Sequence, residues 1–235
     1  NVAVGDHLVA LHAPAPKGPI PKVEFGFEEW PENGFRVRRR VFKTPAGTLT
    51  DVTRFPPAGD RSYGVSPNPI RTERLVKGPR DLDALAYLMP DPSRFDFAPF
   101  FETERLMGEN GLVALNIMSA LCHRAGDACA MEDLMVAYHD DRPFFDRLLS
   151  MFQHGMMAEV EAALRAGVRH FFANWYYNSL SAGWSPAIWR QVFAPQLREM
   201  TDRIHAAGGT VNFYDDGRCM PILETLADCG IDVLQ

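Results

Sequence analysis

The chain has little cysteine, and this scarcity bears on the compartment in which it folds. Four cysteines occur in 235 residues, and they show neither a CxxC pair nor the density of a disulfide-stapled domain. The sequence also lacks an apolar run of about 18 residues, the length that a membrane-spanning helix needs. No secretory signal opens it. We therefore expect a cytoplasmic protein without a membrane partner.

Basic charge is scarce as well. The chain has 24 Lys and Arg against 30 Asp and Glu, a formal net charge of -6, whereas nucleic-acid binding needs a clustered basic field. The one basic run, at residues 36–40, alternates like a solvated strand face. Zinc and nucleotide motifs such as HExxH, CxxC, GxGxxG and GxxxxGK[ST] are missing. No nucleic-acid partner is expected.

The apolar content, 46% of the residues, is enough for one sizeable core, and we expect residues 1–235 to form a single domain. Residues 1–100 are rich in proline and predict loops and extended segments. Within them "RVRRRVFKTPAGTLTDVTRF" predicts a β-hairpin that turns between Thr44 and Gly47. "GPRDLDALAYL" predicts a short helix capped by Asp81 or a close neighbour.

Residues 111–235 alternate regularly between strands and helices. "GLVALNI", "VRHFFAN", "TVNFY" and "IDVLQ" predict buried strands, and "VAVGDHLVALHA" is a candidate for one more. Helices are predicted over 130–138, from about Pro143 to Ala166, from Ser185-Pro186 to before Gly208, and over 219–229. This order indicates parallel βαβ units. Four or five strands do not close a barrel, so we expect a piece of a longer protein; an open doubly wound sheet is the alternative.

In parallel α/β folds the functional site forms at the carboxyl ends of the strands. Three strand ends carry polar or aromatic side chains, with His123 further on as one more residue that could reach the site. The side chains at the three strand ends are Asn116, Met118 and Ser119; Asn174, Trp175 and Tyr176, within "NWYYN"; and Tyr214, Asp215 and Asp216.

Each strand end also has a purely structural interpretation. Asn116 and Ser119 could satisfy loop backbone groups, and the aromatic rings of "NWYYN" could cover the core rather than a ligand. Asp215 or Asp216 could cap the helix that follows. Both interpretations remain open for each residue.

Four segments follow one another along the chain: "TPAGTLTDV", "RTERLVKGPRDLDALAYL", "AGVRHFFANWYYNSLSAGWSPAIWRQVFAPQLREMTDRIHAAGGTVNFYDDGR" and "LADCGIDVLQ". Together they resemble the uroporphyrinogen decarboxylase superfamily, and within it the corrinoid-linked methyltransferase branch more closely than the porphyrinogen decarboxylases. The resemblance covers about residues 40–235 and implies a (β/α)8 barrel of the TIM type, with an N-terminal β-hairpin insertion in this chain.

In the methyltransferase branch the strand after the "HAAGG" segment ends in a His-x-Cys-Gly pattern, whose His and Cys bind zinc. Here Tyr214 stands in place of that His and Asp216 in place of the Cys, while Gly217 matches. A third ligand would lie beyond Gln235. Tyr is a poor zinc ligand at neutral pH, and one Asp does not replace a His and thiolate pair, so these residues argue against zinc.

The resemblance implies methyl transfer between a small methylated substrate and a corrinoid on a partner protein. We expect Asp216 and Tyr214 to be catalytic, and the substrate to be bound by Asn116, Ser119, Asn174, Trp175 and Tyr176. Uroporphyrinogen decarboxylation is an alternative; its "MRQAGR"-like segment would fall before Asn1 or is not present, and few arginines lie at the strand ends. A barrel that binds a ligand without turning it over is the third hypothesis.

Overall fold

The computed structural model describes residues 8–12, 18–57 and 68–235. The chain divides into two compact units. Among the described residues, unit 1 contains 8–12, 90–124 and 149–235, and unit 2 contains 18–57, 68–89 and 125–148.

Unit 2 contains an antiparallel sheet whose four strands lie in sequence order. They are β2 (Glu24–Glu32), β3 (Phe35–Thr44), β4 (Gly47–Phe55) and β5 (Ile70–Glu73). The predicted hairpin is confirmed, because β3 and β4 pair from Arg36 opposite Phe55 to Thr44 opposite Gly47. The Thr44 hydroxyl fixes the turn by donating to the Gly47 carbonyl (2.9 Å) and accepting from the Ala46 amide (3.1 Å).

The helices of unit 2 are short. The predicted helix near Asp81 is a 3₁₀ turn over Pro79–Asp81, then α1 (Leu82–Leu85), then a 3₁₀ turn over Ala86–Leu88. The Asp81 carboxylate accepts from the Gly78 amide (3.2 Å), so it closes the start of this segment as predicted. Helices α3 (Gly126–Cys129) and α4 (Met131–Asp140) follow later in the chain, and α4 matches the helix predicted over 130–138.

Unit 1 contains a parallel sheet in the order β1, β6, β7, β8, β9. The strands are β1 (Leu8–His12), β6 (Leu112–Met118), β7 (His170–Asn174), β8 (Thr210–Tyr214) and β9 (Val233–Leu234). Each neighbouring pair runs parallel. The four predicted strands and the candidate fifth are thus confirmed as one α/β sheet. In the described residues the sheet is open, so the (β/α)8 barrel stays a prediction.

Long helices connect these strands. Helix α2 (Ala98–Met107) precedes β6, and α5 (Arg142–Ala166) belongs to unit 2 as far as Leu148 and to unit 1 from Leu149 on. Helix α5 ends at Gly167, whose φ of 109° is left-handed, as the predicted stop requires. Between β7 and β8, α6 (Pro186–Ile188), a π-helical turn (Trp189–Phe193) and α7 (Ala194–Ala206) form one continuous helical segment. It starts at Ser185, whose hydroxyl accepts from the Ile188 amide (3.1 Å).

The core of unit 1 lies on one face of the parallel sheet. Side chains of that face are 0–1% exposed, and α2 packs on β6 while α7 packs on β8. They are Leu115, Ile117, Phe171, Ala173, Val211 and Phe213. Helix α8 (Leu223–Asp228) completes the last connection before β9. Among the described helices, none has both the length and the apolar character needed to cross a bilayer.

Candidate active site at the carboxyl edge of the parallel sheet

The three predicted strand ends lie side by side. Met118, Asn174 and Tyr214 are register partners across β6, β7 and β8. Backbone bonds continue past the strand ends, from the Ser119 amide to the Asn174 carbonyl (3.4 Å) and from the Trp175 amide to the Tyr214 carbonyl (3.3 Å). The structure therefore gathers the sequence-predicted residues at one edge of unit 1.

Tyr214 and Asp216 form a hydrogen-bonded pair at the end of β8. The phenol donates to the Asp216 carboxylate, and the Tyr214 ring stacks on Phe172 with 5.7 Å between ring centroids. Burial and the charge of Asp216 raise the pKa of Tyr214, so the phenol keeps its proton. Asp216 is exposed, and it is therefore the carboxylate of this strand end that solvent or a ligand reaches.

Asp215, by contrast, is buried, and its side chain is 6% exposed. Its Oδ1 accepts from the Gly217 amide (2.8 Å), and Ser179 also hydrogen-bonds to the carboxylate. Burial raises the pKa of Asp215 despite these two bonds. Sequence reasoning favoured Asp216 and missed the burial of Asp215. Strand alternation was the available signal, because consecutive side chains point to opposite faces.

The loop after β7 lies directly against the turn after β8. The Ser179 hydroxyl accepts from the Ser181 amide (3.1 Å), and the Ser181 hydroxyl accepts from the Arg218 amide (3.0 Å). A Cβ on Gly217 would overlap the Ser179 Oγ and lie 2.9 Å from the Ser181 Oγ. A side chain at position 217 would therefore displace the Ser179 hydroxyl, because the two loops approach each other so closely.

Ser119 connects the first two strand ends. It is fully buried, donates to the Asn178 Oδ1 (2.6 Å) and accepts from the Cys122 amide (2.7 Å). Cys122 lies in the π-helical turn Leu121–Ala125 that follows β6. Both hydroxyl bonds of Ser119 thus hold loops in place, which is the structural alternative that the sequence left open.

The aromatic residues of "NWYYN" divide between core and surface. Trp175 is fully buried, and its ring lies 6.0 Å from that of Phe213. Tyr176 is half-buried and meets Tyr177 edge to face, with 4.7 Å between centroids. Trp175 therefore covers the core in this structure, whereas Tyr176 keeps part of its surface exposed. The side chain of His123 lies outside the described part of the structure.

Three asparagines on this sheet carry buried side-chain oxygens. The Oδ1 atoms of Asn116, Asn174 and Asn212 have no hydrogen-bond donor among the described residues. Asn116 is the most enclosed of them, at 7% exposed. Sequence reasoning selected Asn116 and Asn174 and missed Asn212, which stands inside the apolar strand β8 rather than at its end.

The side chains at this edge of the sheet are not suitable zinc ligands. Tyr214 would have to ionise to be a strong ligand, and the raised pKa of its phenol opposes ionisation. In the described part of the chain, no group of three or more His, Cys, Asp and Glu side chains is placed to hold a metal ion. The oxygen atoms of this edge are instead suited to accept hydrogen bonds and to orient a polar substrate.

The chain matches no family model and no curated protein. Among solved structures it is similar to a methyltransferase from Methanosarcina mazei, with a TM-score of 0.57 and 18% identity. The match covers 71% of this chain and 49% of the other, so the chain spans about half the length of that neighbour. At this identity the likeness shows the fold alone.

Proposed function

We propose that the chain is part of a methyltransferase of the uroporphyrinogen decarboxylase superfamily, built on a (β/α)8 barrel. It moves a methyl group between a small methylated substrate and a corrinoid carried by a partner protein. The observation that carries the proposal is the Tyr214 and Asp216 pair at the end of β8. The likeness in fold to a methyltransferase supports it.

Each residue of the edge has a distinct task in this proposal. Asp216 is exposed, so its carboxylate binds and orients the polar group that carries the methyl. The Tyr214 phenol donates to that carboxylate and fixes its position. Asp215 and Gly217 hold the turn in place through a bond of 2.8 Å. A bound corrinoid supplies the nucleophile that accepts the methyl group, and the half-buried Tyr176 ring offers a surface on which a flat macrocycle packs.

The test uses full-length protein with free cobalamin in place of the partner. We expect it to methylate cob(I)alamin, or to demethylate methylcobalamin, with at least one compound of a methoxy, methylamine and thiol panel. Asp216→Ala should lower that rate by about 100-fold or more, the usual size of a lost acid–base or orienting group. Asp228→Ala, which removes an exposed acid of α8, is the matched control and should leave the rate unchanged.

Two results would contradict the proposal. Absence of methyl transfer across the whole panel rules out the reaction, and formation of coproporphyrinogen from uroporphyrinogen would favour the decarboxylase instead. If the protein binds a ligand without catalysis, binding should be measurable but no methyl-transfer rate should be detected, with or without Asp216→Ala.

A further inference from the structure

The face of the parallel sheet opposite the unit 1 core is polar. Residues two apart on a strand share a face, so the register places Asn116, Phe172 and Asn212 in one row across β6, β7 and β8. Asn174 and Tyr214 stand in the next row toward the carboxyl edge. An apolar ring thus lies between two amide side chains, and a third amide, that of Asn174, stands beside Tyr214.

The three amides point to a missing hydrogen-bond donor. Buried oxygen atoms in proteins almost always accept a hydrogen bond, yet the Oδ1 atoms of Asn116, Asn174 and Asn212 meet no donor within the described residues. Asn116 is the strongest case, since 7% of its surface is exposed. The three oxygens belong to adjacent strands, so they are grouped rather than isolated. They match a ligand that brings several donors of its own.

The centre of this face is aromatic. The Phe172 ring stacks on Tyr214 at 5.7 Å, and Tyr214 in turn bonds to Asp216. Asn116 and Asn212 lie one strand to either side of Phe172, so their backbones are about 9–10 Å apart. An aromatic face beside oxygen acceptors attracts a cation.

The charged groups near Phe172 also favour a cationic ligand. Asp216 lies on the same side as Tyr214, because the two side chains are hydrogen-bonded. His170 is on this face too, but it lies one row further from the carboxyl edge than Phe172 and contacts the Thr210 hydroxyl (2.9 Å). Asp216 therefore places a negative charge beside the acceptor oxygens of this edge.

We propose that Asn116, Asn174 and Asn212 bind the N–H groups of an N-methylammonium substrate above the Phe172 ring. This inference deepens the proposed function by naming its methyl donor as a primary or secondary methylated amine in its protonated form. When the methyl group leaves, the pair of the C–N bond stays on nitrogen, and the new bond to carbon takes its pair from the reduced corrinoid. The product is a neutral amine that keeps its N–H bonds, so the step needs no separate proton donor.

The experiment measures binding without any corrinoid, on full-length protein. The probes are methylammonium, with three N–H bonds, and tetramethylammonium, with none, at equal ionic strength in calorimetry or ligand-observed NMR. We expect methylammonium to bind at least tenfold more tightly. Asn116→Leu keeps the side-chain size and removes the acceptor, and it should weaken methylammonium binding at least tenfold. Asn110→Leu, at an exposed position outside the sheet, should leave binding unchanged.

Equal binding of the two probes, or unchanged binding by folded Asn116→Leu, would overturn the inference. If circular dichroism shows that this variant does not fold, Asn174→Leu takes its place with the same expectation, since Asn174 is only half-buried. Methyl transfer from a methoxy or thiol compound without methylammonium binding would sink this inference and leave the proposed function standing. Asn116-dependent binding of methylammonium without any methyl transfer would support this inference and contradict the proposed function.

Discussion

A methyl group added at Gly217 tests whether the two loops of the candidate site meet as closely as the structure shows. The Cβ of Gly217→Ala would overlap the Ser179 Oγ and lie 3.0 Å from the Asp215 Oδ1. Ser179 would have to move, because Asp215 is buried and held by the backbone of the turn. The substitution therefore acts mainly through Ser179, and the Ser181 Oγ, 2.9 Å from the added Cβ, must also shift slightly.

The size of the effect follows from the bonds that Ser179 would lose. Its hydroxyl accepts from the Ser181 amide (3.1 Å) and bonds to the Asp215 carboxylate. A neutral hydrogen bond contributes about 0.5–1.5 kcal/mol and one to a charged group about 1.5–3 kcal/mol. We therefore expect Gly217→Ala to lower the free energy of unfolding by about 2–4 kcal/mol.

A double-mutant cycle in urea denaturation separates the overlap from other causes. Ser179→Ala removes the obstructing oxygen, so adding Gly217→Ala to it should cost less than about 1 kcal/mol more, and the two changes should be strongly non-additive. Gly155→Ala is the matched control. It lies inside α5, where a Cβ would meet nothing within 4 Å, and should stabilise by about 0.5–1 kcal/mol. Additive costs, or a loss under about 0.5 kcal/mol for Gly217→Ala, would refute the reasoning.

Two further predictions concern buried charges. Burial raises the pKa of Asp215 above its ordinary 3.8, so its contribution to stability is complete below about pH 3.8 and is lost as the pH rises through the folded-state pKa. Asp215→Asn should flatten this part of the curve of unfolding free energy against pH, and a curve identical to wild type would contradict us. Arg124→Ala should cost about 3–5 kcal/mol, because it leaves the buried Glu159 without its 2.6 Å ion pair. Arg124→Met with Glu159→Leu should recover most of that loss in urea denaturation, and an equal loss in both variants would be the contrary result.

The β/α rhythm of unit 1 was predictable because burial leaves a simple pattern. The strands of the parallel sheet are short, mainly apolar runs, and α5 repeats apolar residues every four positions. The capping residues indicate the same boundaries as the apolar pattern, because Ser185 stands where α6 begins and Gly167 stands where α5 ends. Local chemistry and tertiary packing therefore point to the same elements.

Strand β2 was not predicted, and the reason is physical. Its sequence "EFGFEEWPE" contains Gly26, Pro31 and four glutamates, and every residue of it is exposed. An edge strand tolerates proline because one side of its backbone has no partner, and β2 lies at the edge of its sheet. Glu29 is held across the strands by Arg36 and Arg38, both at 2.6 Å. Charge pairing between strands leaves no signal in the hydrophobic pattern of one strand.

The candidate site was predictable in position but not in detail. The rule on carboxyl ends located the strand ends correctly, because it depends only on strand direction. Which side chains face a ligand depends on the loops that follow. Asn178 bonds to Ser119, and Ser179 bonds to Asp215. No local sequence motif predicts such contacts between distant segments.

On the proposed function, Tyr214 and Asp216 stand where the methyltransferase branch has a zinc-binding His and Cys, and we expect this difference to change what the strand end recognises. A zinc thiolate site activates a sulfur acceptor by lowering its pKa. Here the phenol keeps its proton and bonds to a carboxylate, while the neighbouring strands present amide oxygens that lack donors among the described residues. Oxygen acceptors of this kind stabilise a positive charge with N–H groups rather than an anionic sulfur. On the proposed function, the same edge of the sheet has therefore exchanged a metal-bound methyl acceptor for a cationic methyl donor.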